Sequence, residues 1–201
     1  MKKCKIIGLT GQTGAGKSTV AHFLEESGAA IINADSLVHK LYGENTVCSK
    51  SVASVFGSDI LNPDSSVDRR LLAERAFVSK ESIALLNSVV HPFVMYELLM
   101  QIKTELKNGA ELIIYDAPQL FESNSDLICD SIISVVADRQ VRLKRICSRD
   151  NISEEAARER MNAQLDEEFF RANSDYIIEN NADLKLLKEQ LQMLKEILMQ
   201  R

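Results

Sequence analysis

The sequence predicts an α/β fold in which a five-stranded parallel sheet carries a phosphate-binding loop, a helical insertion and an arginine-rich segment. Three observations favour this fold. Short apolar strands alternate with amphipathic helices, as they do in doubly wound sheets. A Gly-rich segment follows the first strand and precedes a helix. A long stretch without strand patterns separates the second strand from the third.

The strongest local signal is the segment GQTGAGKS from Gly11 to Ser18, which matches the phosphate-binding pattern G-x-x-x-x-G-K-[ST]. Residues 5–10 predict a buried strand before it, and residues 17–27 predict an amphipathic helix after it. Glycines let successive backbone N–H groups and the positive end of the helix converge on one anion. The pattern assigns Lys17 to the β- and γ-phosphates and the Ser18 hydroxyl to Mg²⁺. The alternative is a Gly-rich turn that binds nothing.

Four further strands are predicted, at residues 29–33, 111–115, 132–137 and 176–179. The predicted strands and the segments between them divide the single domain into a core, an insertion at residues 36–108 for the second substrate, and an arginine-rich segment at residues 139–164. The core consists of residues 1–35, 109–138 and 165–201.

Within the insertion, two helix starts are predicted. Asp68 caps a helix whose apolar side chains are Leu71, Leu72, Ala76 and Phe77. Pro92 stands at the first position of a helix that runs towards Asn108. At the end of the chain, a helix over residues 184–200 is predicted to pack on the sheet through Leu187, Leu191, Leu194 and Ile197.

Two carboxylates follow predicted strands. Asp35 comes after the second strand and Asp116 after the third. In parallel sheets ligands bind beyond the carboxyl ends of the strands, so both residues are candidates for the site. Asp116 fits a ligand of the magnesium shell, and Asp35 fits a base that orients an acceptor hydroxyl and takes its proton. The alternatives are a helix cap over residues 36–41 for Asp35 and a strand-end turn for Asp116.

Four arginines follow the fourth strand at helical spacing, namely Arg139, Arg142, Arg145 and Arg149. This spacing places most of them on one helix face. Phosphoryl transfer spreads charge over oxygens that such cations would meet in the transition state. The alternative is a solvated helix face.

Composition excludes several classes of function. The 201 residues carry a net charge of -5, which speaks against nucleic acid as the main partner. No apolar run is expected to approach the roughly 20 residues of a membrane span, and the apolar stretch after Met1 is too short for a signal peptide. We therefore expect a cytoplasmic protein without a membrane partner. The four cysteines are scattered and are expected to be buried or half-buried thiols.

The motifs together resemble those of the dephospho-CoA kinases, which phosphorylate the 3′-hydroxyl of dephospho-CoA with ATP. The resemblance covers nearly the whole chain. Beyond the phosphate loop it rests on Ala34-Asp35, Asp68-Arg69, Leu72, Phe77, His91-Pro92, Asp116-Ala117-Pro118, Leu120-Phe121-Glu122, Arg145, Arg149-Asp150, Gln164 and Asn180. Two positions depart from the family pattern. Asn33 stands where an aspartate is usual, and Gln119 where a leucine is usual.

The resemblance implies roles for particular residues. Asp35 is the expected catalytic base, residues 36–108 contain the region that binds CoA, and residues 139–164 form a lid that carries Arg145 and Arg149. The expected ATP contacts are Gly11, Gly14, Ala15, Gly16, Lys17, Ser18, Thr19 and Asn180. Arg69 and His91 are candidate contacts of the acceptor, although a solvated arginine and a buried or capping histidine are equally good interpretations. The protein is expected to be a monomer or a small homo-oligomer.

Two other functions stay open at this point. The loop, sheet and lid indicate phosphoryl transfer without naming the acceptor, so another small-molecule or nucleotide kinase fits. A GTP-dependent switch fits less well. The segment from Asp116 to Gln119 lacks the Asp-x-x-Gly pattern of such switches, and no Asn-Lys-x-Asp motif is present.

Overall fold

The computed structural model describes residues 4–181 and 183–199. Five strands form one sheet in the order β2-β3-β1-β4-β5. The strands are β1 (Lys5–Gly11), β2 (Ala30–Asn33), β3 (Leu112–Asp116), β4 (Ser131–Val136) and β5 (Tyr176–Glu179). The pairs β1–β3, β1–β4 and β4–β5 are parallel. The predicted five-stranded parallel sheet is confirmed, and each strand lies within one residue of its predicted bounds.

The described part of the chain contains nine α-helices. They are α1 (Lys17–Glu26), α2 (Ala34–Leu41), α3 (Val47–Phe56), α4 (Arg69–Ala76), α5 (Lys80–Lys107), α6 (Arg139–Asp150), α7 (Glu154–Asn162), α8 (Glu167–Ala172) and α9 (Leu184–Met199). The chain divides into two compact units, one formed by Met1–Ile32 with Glu105–Arg201 and the other by Asn33–Thr104.

A large buried cluster of the first unit includes side chains from β1, α1 and α9. Side chains alternate along a strand, so Ile7 and Leu9 of β1 point the same way. They join a buried cluster with Val20 and Leu24 of α1. The cluster also takes in four leucines of α9, which are Leu187, Leu191, Leu194 and Leu198. The predicted stripe is confirmed for the first three. The prediction for Ile197 was wrong, because this residue is 40% exposed and Leu198 is buried in its place. The predicted end of this helix at Gln200 lies outside the described residues.

Helix α9 also contacts the last strand of the sheet through one side chain. The Glu179 amide donates to Gln190 Oε1 at 2.9 Å, and Gln190 Nε2 donates to the Glu179 carbonyl at 2.9 Å. A single carboxamide therefore pairs with both backbone groups of Glu179.

The second unit is helical and has its own buried cluster, to which Leu41, Val52, Leu72 and Val90 contribute. Asp68 caps α4 as predicted, accepting from the amides of Arg70 at 2.9 Å and Leu71 at 3.0 Å. Phe77 was placed on the apolar face of this helix, but it is the C-cap residue and is 66% exposed.

Helix α5 corrects the interpretation of Pro92. The helix spans 28 residues with Pro92 inside it. It begins near Ser79, whose hydroxyl accepts a hydrogen bond from the Ser82 amide at 3.1 Å. Proline removes one backbone donor from a helix, yet the helix continues with Val90 and Leu98 buried on either side of Pro92. Tertiary packing outweighs the local preference here.

The same helix corrects the expectation about apolar runs. By length and composition alone, α5 is the one helix among the described residues that is able to cross a membrane. A single helix of this kind is weak evidence for a membrane span, because helices of water-soluble proteins also meet both criteria. All four cysteines are free thiols, with Cys48 buried and the other three half-buried, as predicted.

Candidate functional site

The phosphate loop connects β1 to α1 and is packed tightly on its outer side. Gly14 has a φ of +76°, and a Cβ added there would lie 2.9 Å from the Arg142 carbonyl oxygen. Gly16 has a φ of +95°, and its Cβ would lie 2.2 Å from Asn180 Nδ2. Both positions combine a left-handed backbone with a neighbour that excludes any side chain. The glycines therefore shape the loop and also let α6 and the end of β5 approach it.

Lys17 and Asp116 meet at the mouth of this loop. The ammonium group of Lys17 contacts Asp116 Oδ1, and the two side chains are 17% and 7% exposed. The contact follows from the sheet, because Leu9 of β1 is in register with Asp116 at the end of β3. The structure thus brings together the two predicted residues that were assigned to phosphate and to metal. Ser18 and Thr19, in the first turn of α1, are exposed.

Asn180 and Arg145 hold the loop through its carbonyl groups. Asn180, only 6% exposed, donates through Nδ2 to the Ala15 carbonyl at 2.7 Å. Arg145 Nη1 lies 3.3 Å from the carbonyl oxygens of both Gly14 and Ala15 and 3.0 Å from that of Asn180. Arg145 Nη2 donates to Asn180 Oδ1 at 3.3 Å. Both side chains were predicted as site residues, and in the structure they contact the loop backbone.

The four arginines of α6 differ in exposure and in hydrogen-bond partners. Arg142 is only 6% exposed, and its Nε donates to the Ala137 carbonyl at 2.9 Å. Burial lowers the pKa of the Arg142 guanidinium. Arg139 is exposed and donates to Asn162 at 2.7 Å. Helical spacing did not reveal that Arg142 is buried where α6 packs against the loop at Gly14.

Arg149 lies at the exposed end of α6, where it pairs with its neighbour Asp150. Its Nε and Nη2 atoms donate to the two carboxylate oxygens of Asp150 at 2.7 and 2.9 Å. Arg160 of α7 contacts the same carboxylate. These hydrogen bonds and charges lower the pKa of Asp150. Sequence reasoning did not connect Arg160 with Asp150, because the nine residues between them include the turn between two helices.

A further contact to the loop comes from Gln164. The Thr13 amide donates to Gln164 Oε1 at 2.7 Å, joining residues 151 positions apart. Sequence reasoning included Gln164 among the family motifs but assigned it no role. A contact over such a distance along the chain leaves no local pattern that would reveal it.

The second unit contains Asp35, Arg69 and His91. Asp35 is exposed in the first turn of α2. The cap of that helix is Asn33, whose Oδ1 accepts from the Ser36 amide at 2.9 Å. The alternative interpretation of Asp35 as the cap is therefore wrong. The cap also gives Asn33, which departs from the family pattern, a structural role, since asparagine is among the best N-cap residues.

Arg69 is the exposed first residue of α4. His91 is helical and half-buried, although a residue before proline usually has an extended backbone. Burial lowers the pKa of His91. Its imidazole is consequently biased towards the neutral form, in which one ring nitrogen accepts and the other donates.

The loop region offers oxygen ligands for a metal ion. Mg²⁺ prefers oxygen and is commonly held by one or two carboxylates together with substrate phosphates and water. Asp116 and Ser18 supply a carboxylate and a hydroxyl that fit this requirement. Within the described residues, no three His, Cys, Asp or Glu side chains cluster as a metal site.

Comparisons with known proteins agree on one family. The family model described as dephospho-CoA kinase matches residues 5–185. A dephospho-CoA kinase of Fusobacterium nucleatum is 38% identical over 182 residues, which cover 90% of this chain and 91% of that protein. A Thermus thermophilus crystal structure superposes with a TM-score of 0.81 at 30% identity, covering 96% of this chain and 97% of its own. Dephospho-CoA kinase from Campylobacter jejuni gives a TM-score of 0.71 at 28% identity, with 96% of each chain covered.

Proposed function

Because the chain belongs to the dephospho-CoA kinase family, we propose that it transfers the terminal phosphoryl group of ATP to the ribose 3′-hydroxyl of dephospho-CoA. The products are coenzyme A and ADP. The observation that carries the proposal is the phosphate loop with Lys17 against Asp116, in a chain matched by the family model over residues 5–185. The predicted family is confirmed, and neither another kinase nor a GTP-dependent switch is favoured.

The ATP side of the site is the loop and the first turn of α1. The backbone amides of Gly14 to Thr19 surround the phosphates, and the Lys17 ammonium neutralises charge on the β- and γ-phosphates. Asn180 contributes indirectly, because its carboxamide fixes the Ala15 carbonyl and so the direction of the loop amides. The loop thus offers donors whose positions are set before ATP binds, which reduces the cost of reorganisation.

The acceptor side rests on Asp35. Phosphoryl transfer needs little covalent chemistry from the protein, so an acceptor carboxylate acts by aligning the hydroxyl and taking its proton late. Asp35 is free of the capping role, since Asn33 performs it. Arg69 is a cation available to the acceptor's phosphates, and the neutral His91 is able to hydrogen-bond the acceptor. The insertion around them is the proposed CoA-binding region.

Ser18 and Asp116 are the proposed ligands of Mg²⁺. When bound, Mg²⁺ neutralises charge that develops on the β- and γ-phosphate oxygens. The carboxylate of Asp116 then has two cationic partners to balance, the ion and Lys17. We expect this arrangement to make the position of Lys17 sensitive to the state of Asp116.

Residues 139–164 are the proposed lid. Arg145 is already held against the loop backbone, where it contacts the carbonyl groups of Gly14 and Ala15. Arg149 is exposed, and it exchanges Asp150 for a phosphoryl oxygen in this proposal. The net charge of -5 supports small-molecule substrates rather than nucleic acid as partners. Cytoplasmic location and a monomer or small homo-oligomer complete the proposal.

The test is an ADP-release assay in which the purified protein is offered dephospho-CoA, AMP, CMP, shikimate and gluconate separately. We expect turnover with dephospho-CoA to exceed that with every other acceptor. Lys17→Ala is the matched control for contaminating kinases, because it should lose the activity. Preferred turnover of any other acceptor would contradict the proposed function.

A further inference from the structure

Gln164 lies in the short connection between α7 and α8, and its side chain reaches the phosphate loop. The Thr13 amide donates to its Oε1 at 2.7 Å. Thr13 belongs to the loop whose backbone N–H groups surround nucleotide phosphates. One donor of the loop is therefore bound to a protein oxygen, and that oxygen belongs to a residue in the proposed lid.

This hydrogen bond fixes which way the carboxamide faces. A backbone N–H only donates, so the oxygen of Gln164 must face Thr13 and the nitrogen must face elsewhere. The Gln164 Nε2 group has no hydrogen-bond partner among residues 4–181 and 183–199, and the side chain is half-buried. The two N–H donors of Gln164 Nε2 are thus held beside the loop. The width of one carboxamide separates them from the Thr13 amide.

The helices that precede Gln164 are held by apolar packing. Leu143 and Ile146 of α6 pack with Ala157 and Met161 of α7 in a small buried cluster. Ile146 in turn approaches Gly14, where an added Cβ would lie 2.9 Å from Ile146 Cγ1. The two helices that precede Gln164 are therefore packed together and against the loop. Donors placed in this way require little reorganisation when charge develops nearby.

We infer that Gln164 is a catalytic residue whose Nε2 group donates to the terminal phosphoryl group of ATP while its Oε1 stays on Thr13. The inference rests on the proposed function. It assigns the carboxamide two tasks at once, holding the loop with its oxygen and contacting the transferred group with its nitrogen. The competing interpretation is a structural strap that only holds Thr13.

Gln164→Glu separates these interpretations. Glutamate keeps an oxygen for the Thr13 amide, and the charge makes that hydrogen bond stronger. It also replaces the donor group by an anionic oxygen facing the phosphoryl group. We expect ATP affinity to fall at least about tenfold while ADP affinity changes less than about twofold, because only ATP carries the terminal group. We expect kcat to fall at least about a hundredfold. Gln164→Ala should be less impaired than Gln164→Glu, since it adds no repulsion.

A structural strap predicts the reverse order, with Gln164→Glu close to wild type and Gln164→Ala impaired. That order, or an equal loss of ATP and ADP affinity, would overturn the inference. If Gln164→Glu does not fold, Gln164→Leu serves instead, because leucine has a similar volume and lacks the N–H donors. If Gln164→Leu loses ATP affinity and ADP affinity by the same factor relative to wild type, the inference is overturned as well. Nucleotide binding is measured by calorimetry without acceptor. Failure of the wild-type protein to use dephospho-CoA would therefore be recorded separately, as a failure of the proposed function.

Discussion

Asp35→Asn tests the assignment of the catalytic base. Asp35 is exposed in the first turn of α2, and Asn33 supplies the cap. The substitution removes a negative charge near a helix N-terminus, which is worth about 0.3–1 kcal/mol of stability. For a protein of 201 residues, 1 kcal/mol shifts the thermal midpoint by roughly 2–4 °C. Loss of a general base instead lowers kcat by about 10²-fold or more, which is at least about 2.7 kcal/mol in the transition state.

The two effects are large enough to be separated by steady-state kinetics and thermal unfolding on the same preparation. Asn33→Ala is the matched control two residues away. It removes the capping oxygen and should cost about 1 kcal/mol of stability, lowering the midpoint by about 2–4 °C with kcat within about twofold of wild type. Normal kcat in Asp35→Asn, or activity restored by added Mg²⁺, would show that Asp35 is not the base.

Three other sites give separate expectations. Lys17→Ala should lower kcat/KM at least about a hundredfold with an unchanged circular dichroism spectrum, and near-normal turnover would count against the phosphate assignment. Asp116→Asn should raise the Mg²⁺ requirement, with partial rescue by excess Mg²⁺ in a titration of activity; no change in that titration would remove Asp116 from the metal site. Arg145→Ala should lower both kcat and the thermal midpoint, because its guanidinium bonds three carbonyl groups, whereas Arg149→Ala should lower kcat alone. Unchanged kcat in both variants would leave the lid without its main support.

Much of the fold was predictable because local sequence patterns determine it. The strands are short apolar runs, and the cap at Asp68 precedes a helix by one residue. The loop motif placed Lys17 at the start of α1, and parallel-sheet topology placed Asp116 at the edge of the sheet where the two side chains meet. These predictions succeeded because backbone propensity, side-chain alternation and capping act over a few residues.

The errors arose where tertiary packing, rather than local sequence, determines the structure. Pro92 normally favours a helix start, yet flanking apolar contacts carry α5 through it. Arg142 has the spacing of a surface residue but is buried because α6 approaches Gly14. The contact between Gln164 and Thr13 joins residues 151 positions apart and depends on how two helices pack. No pattern within a helix or strand encodes such a contact.

The pairing of Gln190 with Glu179 has a consequence for self-association. β5 is the last strand of the sheet, and an edge strand presents free N–H and C=O groups to other chains. At Glu179 both groups are occupied by one carboxamide, which imitates the peptide group of a neighbouring strand. An incoming strand would first have to displace α9 from this position. The side chain thus protects the short edge against intermolecular β-pairing, the route by which exposed edges lead to aggregation.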